Sequence, residues 1–325
     1  MNNAMVIFFT LALLLVKKID ILHIRRYDAN FAALIAKKIF GKKLIFDPRG
    51  LFIEEKISSG SWQRNRFRFW IYKHLENSIL KQSDAVIAFS RPHRKYLQST
   101  YGQKISKKVA LIPNCVDLDK FKCKRKYRDD HFAEKITLVY IGGASYWHMV
   151  DEMIDFFKEL KRIVPSFFLY ITYEDQRAIK KKFSESGLGP DDFTVMGVPP
   201  SEIPKYLCHA DVGMALIAPS LAKKMCAPIK FVEYLAAGLP VVINPGLGET
   251  EEIVKKYRVG VLYDLKMMKT NIEKLISLLG ESGIHQRCRS VAEKHFALDE
   301  AVNRLTEVYD KVLQSGKERA TFCKG

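Results

Sequence analysis

The sequence predicts an α/β fold in two domains, each a parallel sheet covered by helices. Three observations predict it. Short apolar runs alternate with helical patterns along the chain, as they do in βαβ units. A length of 325 residues suits about two domains. A polar, basic stretch at residues 123–130 separates one αβ series from a second and reads as the interdomain linker.

Residues 4–16 are apolar and run into Lys17 and Lys18. They lack the basic start and small-residue cleavage site of a signal peptide. They are also shorter than the ~20 residues of a spanning helix. A buried helix packing on a sheet is expected there. Strands are expected at 19–24, 43–46, 85–88 and 109–112, separated by helices at 29–39, 61–81 and 91–101. Pro113-Asn114 ends this series. The second series has strands at 137–141, 167–171, 193–196, 212–216, 241–243 and 260–262. Helices are expected at 150–163, at 202–209 with Ser201 as its cap, at 248–257 and at 298–313.

The hydrophobic share of 48% is ample for two cores. The six cysteines (115, 123, 208, 226, 288 and 323) show no CxxC spacing, so reduced thiols are expected. The net charge is +17 and uneven: residues 1–120 carry 22 Lys and Arg against 9 Asp and Glu. A basic half suggests a polyanionic partner such as anionic lipid or a lipid diphosphate. Neither zinc-finger spacing nor an RNP-type aromatic motif is present, so nucleic acid is not an expected partner.

The most informative stretch is 220–242, SLAKKMCAPIKFVEYLAAGLPVV. Pro228 suits the first turn of a helix and Gly238 its stop. PVV then reads as a buried parallel strand. Lys230 and Glu233 are three apart and share a helix face. Lys223, Lys224, Lys230 and the free N–H groups of the helix start are expected to converge on a bound phosphate. Glu233 beside them can accept hydrogen bonds from paired hydroxyls, as on a ribose. The plain alternative is a surface ion pair between Lys230 and Glu233.

The whole run Pro228-x-Lys230-x-x-Glu233-Tyr234-x-Ala236-x-Gly238-x-Pro240-Val-Val resembles the signature of the retaining family-4 nucleotide-sugar glycosyltransferases. DILHIRRYDA (20–29), KLIFDPRG (43–50), SDAVIAFS (83–90), LIPNCVDLDKF (111–121) and YIGGASYWH (140–148) are similar to further motifs of that family. The resemblance implies a GT-B fold: two Rossmann-like domains facing a cleft that holds the active site. The expected domains are 1–122 on the acceptor side, 123–297 on the donor side, and 298–325 as a helix crossing back with its tail. The N-terminal domain is expected to be incomplete. It lacks the family's first strand and glycine-rich loop, and about three strands with their helices are expected to be absent, some 60–90 residues at ~30 per β-α-β unit.

The resemblance also assigns residues. Lys230, Glu233, Gly142, Gly143, His148, Val198, Gly248, Glu249 and Thr250 are expected at the donor. Arg25, Lys224 and Lys230 are expected in catalysis, with Asp47 and Arg49 on the acceptor side. Met225 replaces the first of two glutamates that many members carry eight apart, and Arg25 stands where a His-x-His pair ends in its second histidine. His148 lies near the position of a common donor-loop lysine. Each residue has a plain alternative: a strand-end turn for Gly142-Gly143, packing on Trp147 for His148, a local ion pair for Asp47 and Arg49, and a salt bridge for Arg25.

The implied reaction moves a sugar from a nucleotide diphosphate sugar to a hydroxyl acceptor with retention. The nucleotide sugar is the co-substrate; no other cofactor and no metal is expected. The acceptor is a polysaccharide, lipopolysaccharide or lipid-linked saccharide. A cytoplasmic protein, peripheral on the inner face of the cell membrane, is expected. The aromatic and arginine-rich helix at 61–81 supports an anionic membrane surface as partner: Trp62, Phe67, Phe69, Trp70, Ile71, Tyr72, Leu75 and Ile79 stand among Arg64, Arg66, Arg68 and Lys73. Its alternative is aromatics in the core and arginines in water. Rival functions are a non-catalytic nucleotide-sugar-binding remnant and a nucleotide-sugar epimerase of the same fold.

Overall fold

The computed structural model describes residues 3–25, 27, 29–62, 66–123, 135–174 and 176–322. The chain forms two compact units. One comprises Met1–Pro113, Ser220–Cys226 and Glu300–Gly325, the other Asn114–Pro219 and Ala227–Asp299. The change of unit thus falls after Pro113, ahead of the expected boundary at 122/123. The cause is packing: Val116 donates its N–H to Phe296 O at 2.9 Å and, with Phe121, lies in the second unit's core. The linker expected at 123–130 lies outside the described residues from 124 onward.

In the first unit, β1 (Ile21–Arg25), β2 (Lys43–Asp47), β3 (Ala85–Ala88) and β4 (Val109–Leu111) form a parallel sheet in that order. Successive strand residues face opposite sides. Leu44 and Phe46 therefore pack with Ile24, Ile79 and Val86 on one face. Ile45 joins Ala85 and Ile87 on the other, where Val308 and Val312 of the helix Leu298–Phe322 cover them.

Two helical expectations change here. The helix Asn3–Val16 packs against the helix Asn30–Phe40 and is not buried on the sheet. Its sequence is apolar all round, so contact along one stripe leaves Phe8, Phe9, Leu13, Leu15 and Val16 exposed. The pattern at 61–81 resolves into Arg66–Gln82, preceded by a separate helix, Phe52–Ser58. The apolar residues of this stretch divide: Trp62, ahead of the helix, and Tyr72 pack on the core, Ile79 is buried in it, and Phe67 and Trp70 face solvent. Lys73 leaves the basic face and bonds Glu54 Oε1 at 2.7 Å and Glu76 Oε2 at 2.8 Å. Burial opposes its charge, but the two carboxylates prevail and raise its pKa. Arg64 lies outside the described residues, as does the side chain of Arg66.

In the second unit, β5 (Ile136–Ile141), β6 (Ser166–Ile171), β7 (Phe193–Met196), β8 (Val212–Ala215), β9 (Val241–Ile243) and β10 (Gly260–Leu262) form a parallel sheet in the order β10-β9-β8-β5-β6-β7. Both faces are covered, which explains near-continuous apolar strands such as SFFLYI. Leu138, Tyr140, Phe168 and Tyr170 line one core; Val139, Leu169 and Ile171 line the other. Ser201 does not cap the following helix. Glu202 holds the cap position of Ile203–His209, without a side-chain bond. The expectation of reduced thiols also fails at one pair, since Cys123 and Cys208 form a disulfide. Their separation of 85 residues made that pair invisible to a spacing pattern.

The helix Ile229–Ala236 ends in a Schellman motif. Gly238 (φ 74°) donates to Leu235 O at 2.9 Å, and Leu239 donates to Tyr234 O at 2.8 Å. The helix sits on β8 through the buried ring of Tyr234. A Cβ added at Gly213 would fall closer than 3.0 Å to that ring. Gly213→Val should overpack the contact and cost about 1–3 kcal/mol, read as a lower midpoint in urea unfolding with an unchanged slope.

Candidate functional site

Ligands bind outside the carboxyl ends of such sheets, at the point where strand order reverses. In the second unit that point lies between β5 and β8, the two neighbours from which the order runs outward. β5 ends there in Gly142-Gly143, and the helix Ile229–Ala236 starts there with Pro228 as its N-cap, one position before the expected first turn.

Three tyrosines build this corner. The Tyr234 hydroxyl accepts the N–H of Ile141 at 3.0 Å, tying the helix to the end of β5. Tyr140 and Tyr170 both donate to Gly143 O, at 3.0 and 2.9 Å. Burial raises the pKa of all three, so they stay protonated and can donate. Lys230 lies over the Tyr140 ring, 4.2 Å from its centroid, and donates to its hydroxyl at 3.0 Å. Gly142 (φ 146°) admits this approach, because a Cβ there would stand 2.8 Å from Lys230 Nζ. Its neighbour Gly143 leaves room for Glu174, whose Oε2 accepts the N–H of Ala144 at 2.6 Å. An acidic side chain thus already occupies one loop N–H of the kind that cradles phosphate.

Glu233 lies one turn along the face from Lys230. Burial lifts its carboxyl from 4.5 to about 7, against the pull of Lys230. At neutral pH it can therefore both donate and accept.

The remaining donor-side residues separate by role. His148 Nε2 accepts from Trp147 Nε1 at 2.9 Å, so His148 packs beside Trp147 as the plain alternative had it. The Val198 side chain is in the core, which leaves its backbone for any ligand. Thr250 is buried, and both its N–H and its hydroxyl donate to Leu247 O, at 3.1 and 2.5 Å. It shapes the turn. Gly248 (φ 55°) and Glu249, the cap residue of the helix Thr250–Tyr257, precede it.

The lysine cluster expected around residue 224 changes. Residues 220–226 belong to the first unit, where Lys223 Nζ pairs with Glu55 Oε1 at 3.1 Å. Lys223 is thereby drawn to a carboxylate on the helix Phe52–Ser58. Lys224 is exposed on the short helix Leu221–Lys224.

In the first unit, Arg25 and Asp47 are registered neighbours at the ends of β1 and β2. The buried Asp47 carboxylate takes Arg49 Nε at 2.9 Å, with Arg25 Nε at 3.8 Å. Arg49 holds φ 60°, a left-handed conformation that costs a side-chain-bearing residue roughly 1–2 kcal/mol. Strain of that kind concentrates at functional sites.

Sequence reasoning missed Tyr140, Tyr170, Glu174 and Arg289. Arg289 donates to Ala236 O, Phe121 O and Leu118 O at 2.7, 3.0 and 3.0 Å, closing the carboxyl end of the Glu233 helix. The tyrosines stand in apolar strands and read as core; Glu174 and Arg289 belong to no motif.

The raised Glu233 pKa makes a stability prediction. The folded chain binds this proton more tightly than the unfolded one. The linkage therefore supports the fold fully below about pH 4.5 and is lost as pH rises through about 7. Relative to Glu233→Gln, which does not titrate there, the native protein should lose up to about 3 kcal/mol across that interval. Urea unfolding of both proteins at several pH values checks it; parallel pH profiles would remove the assignment.

Two family profiles match the chain: Glycosyltransferase Family 4 over residues 2–120 and Glycosyl transferases group 1 over residues 124–295. A Bacillus subtilis protein assigned to teichuronic acid biosynthesis as a glycosyltransferase, TuaH, is 26% identical over 209 residues. That match covers 62% of this chain and 50% of the relative, so the chain spans about half the length of the curated relative it matches. Sucrose-phosphate synthase of Thermosynechococcus elongatus superposes with a TM-score of 0.73 at 17% identity, covering 96% of this chain and 79% of that one. Anabaena HepE, solved in complex with UDP, superposes with a TM-score of 0.72 at 16% identity, covering 95% and 82%. At these identities the structures show a shared fold, the GT-B type. With the group 1 profile spanning more than half of its residues, the chain belongs to the glycosyl transferases group 1 family.

Proposed function

We propose that this protein transfers a sugar from a nucleotide diphosphate sugar to a hydroxyl acceptor, with retention at the anomeric carbon, in the synthesis of a cell-surface polysaccharide or glycolipid. The observation that carries the reading is the pair Lys230 and Glu233 beside the Gly142-Gly143 loop, at the point where the second sheet reverses its strand order. Family membership supports the reaction class, the UDP complex of HepE supports a nucleotide donor, and the TuaH relative supports a cell-wall saccharide acceptor.

In this reading Lys230 exchanges its contact with the Tyr140 hydroxyl for the donor's diphosphate. Charge builds on that group as the sugar leaves, and a fixed cation stabilises it in proportion. Glu233 holds the ribose hydroxyls. The acceptor attacks from the leaving-group side, which retains configuration. The nucleotide sugar is the co-substrate and the reaction uses no further cofactor.

Two substitutions separate these roles. Glu233→Ala should weaken UDP binding roughly tenfold, the worth of a charge-assisted hydrogen bond, with the fold intact by circular dichroism. Lys230→Gln should lower turnover more than UDP affinity, because its contact strengthens toward the transition state. UDP affinity unchanged in the first variant, or turnover unchanged in the second, would overturn the assignment. A chain that binds UDP without turnover of any UDP-, GDP- or ADP-sugar would favour the non-catalytic remnant.

A peripheral membrane seat for the first unit is proposed with it. Phe67 and Trp70 are exposed on the helix Arg66–Gln82, as are Phe8 and Phe9 on Asn3–Val16, within the basic half of the chain. No described helix is long and apolar enough to cross a membrane. The protein should pellet with anionic vesicles, remain in solution with neutral ones, and be released as salt rises, since each basic residue contributes about 1 kcal/mol. Equal recovery from both vesicle types would remove the membrane from the proposal.

A further inference from the structure

The carboxyl edge of the first unit's sheet holds a charge arrangement that donor chemistry leaves unused. Asp47 is its anchor, with a side chain only 4% exposed. Two guanidinium groups share this one carboxylate. Arg49 binds it closely through Nε, while Arg25 stays at 3.8 Å with its side chain 62% exposed. The cluster lies at the end of a parallel sheet, where such folds present ligands. Beside the guanidiniums, Asp47 Oδ1 and His23 Nε2 are buried and make no hydrogen bond among the described residues, and His23 Nε2 stands 3.7 Å from Asp47 Oδ2. The other His23 nitrogen is held by the Tyr309 hydroxyl at 2.7 Å, which fixes the ring.

The exposed Arg25 guanidinium is the accessible part of this cluster, and its planar fork matches carboxylate and phosphate.

We infer that Arg25 and Arg49, positioned by Asp47, recognise the anionic group of an acidic saccharide acceptor, a sugar bearing a carboxylate or a phosphate. The inference rests on the proposed glycosyl transfer, and it names the acceptor class. Asp47 acts through the two arginines and is a positioning residue. The Arg49 backbone, held left-handed, directs its guanidinium to the carboxylate and keeps the pair in register.

Calorimetric titration of the full chain tests it with three probes: methyl β-D-glucuronide, glucose 6-phosphate and neutral methyl β-D-glucoside. At least one anionic probe should bind tenfold or more tightly than the glucoside, and the stronger of the two identifies carboxylate or phosphate. Its affinity should fall as salt rises. Arg25→Gln should weaken it about tenfold. Because the Arg25 side chain is largely exposed, this variant tests recognition even if Arg49→Gln fails to fold. Equal binding of anionic and neutral probes, or anion affinity unchanged in Arg25→Gln, overturns the inference. Loss of UDP binding by the native chain overturns the transferase reading instead and leaves the anion measurement standing.

Discussion

The donor side depends on the seating of Tyr234 on Gly213. The ring fills the space that a side chain at residue 213 would need, and its hydroxyl takes the N–H of Ile141 at the end of the neighbouring strand. One residue thus fixes a helix both to the sheet and to the loop that leaves it. Lys230 is four residues before it and Glu233 immediately before it, so their positions follow from the same anchor. Arg289 secures the far end by binding the carbonyl of Ala236, and the Schellman turn at Gly238 stops the helix there.

On this frame the electrostatics are balanced between two states. Lys230 rests on the ring and the hydroxyl of Tyr140. Glu174 holds the Ala144 N–H with a carboxylate, which stands in for an anion at the loop. Burial keeps Glu233 at the edge of protonation near neutral pH.

The first unit uses the opposite device. Its carboxyl edge is built around the buried side chain of Asp47, whose partners lie increasingly toward solvent. Truncating one member of such a buried pair is costly, because it leaves a charge uncompensated. The same sheet is tied down by the C-terminal helix, where Val308 and Val312 cover Ile45, Ala85 and Ile87 and Tyr309 steadies His23. A segment distant in sequence therefore supports the strand ends that carry the charged cluster.

Strands β3, β7, β9 and β10 and the helices at 91–101 and 150–163 were legible in the sequence to the residue, because buried parallel strands are short apolar runs bounded by turns. The stretch from Pro228 to Val242 disclosed its helix, its glycine stop and the shared face of Lys230 and Glu233, since local spacing alone determines these. Contacts between distant segments decided the rest. The Cys123–Cys208 disulfide, the capture of Lys223 by Glu55 and the burial of Val198 each join a residue to surroundings that no local pattern specifies. The exposed helix Asn3–Val16 shows the same limit from the other side: apolarity is written in its sequence, but only its packing against Asn30–Phe40 determines which stripe is buried. Periodicity is a property of neighbouring residues and is fixed by backbone geometry. Pairing is a property of the folded chain, set by which segments packing brings together.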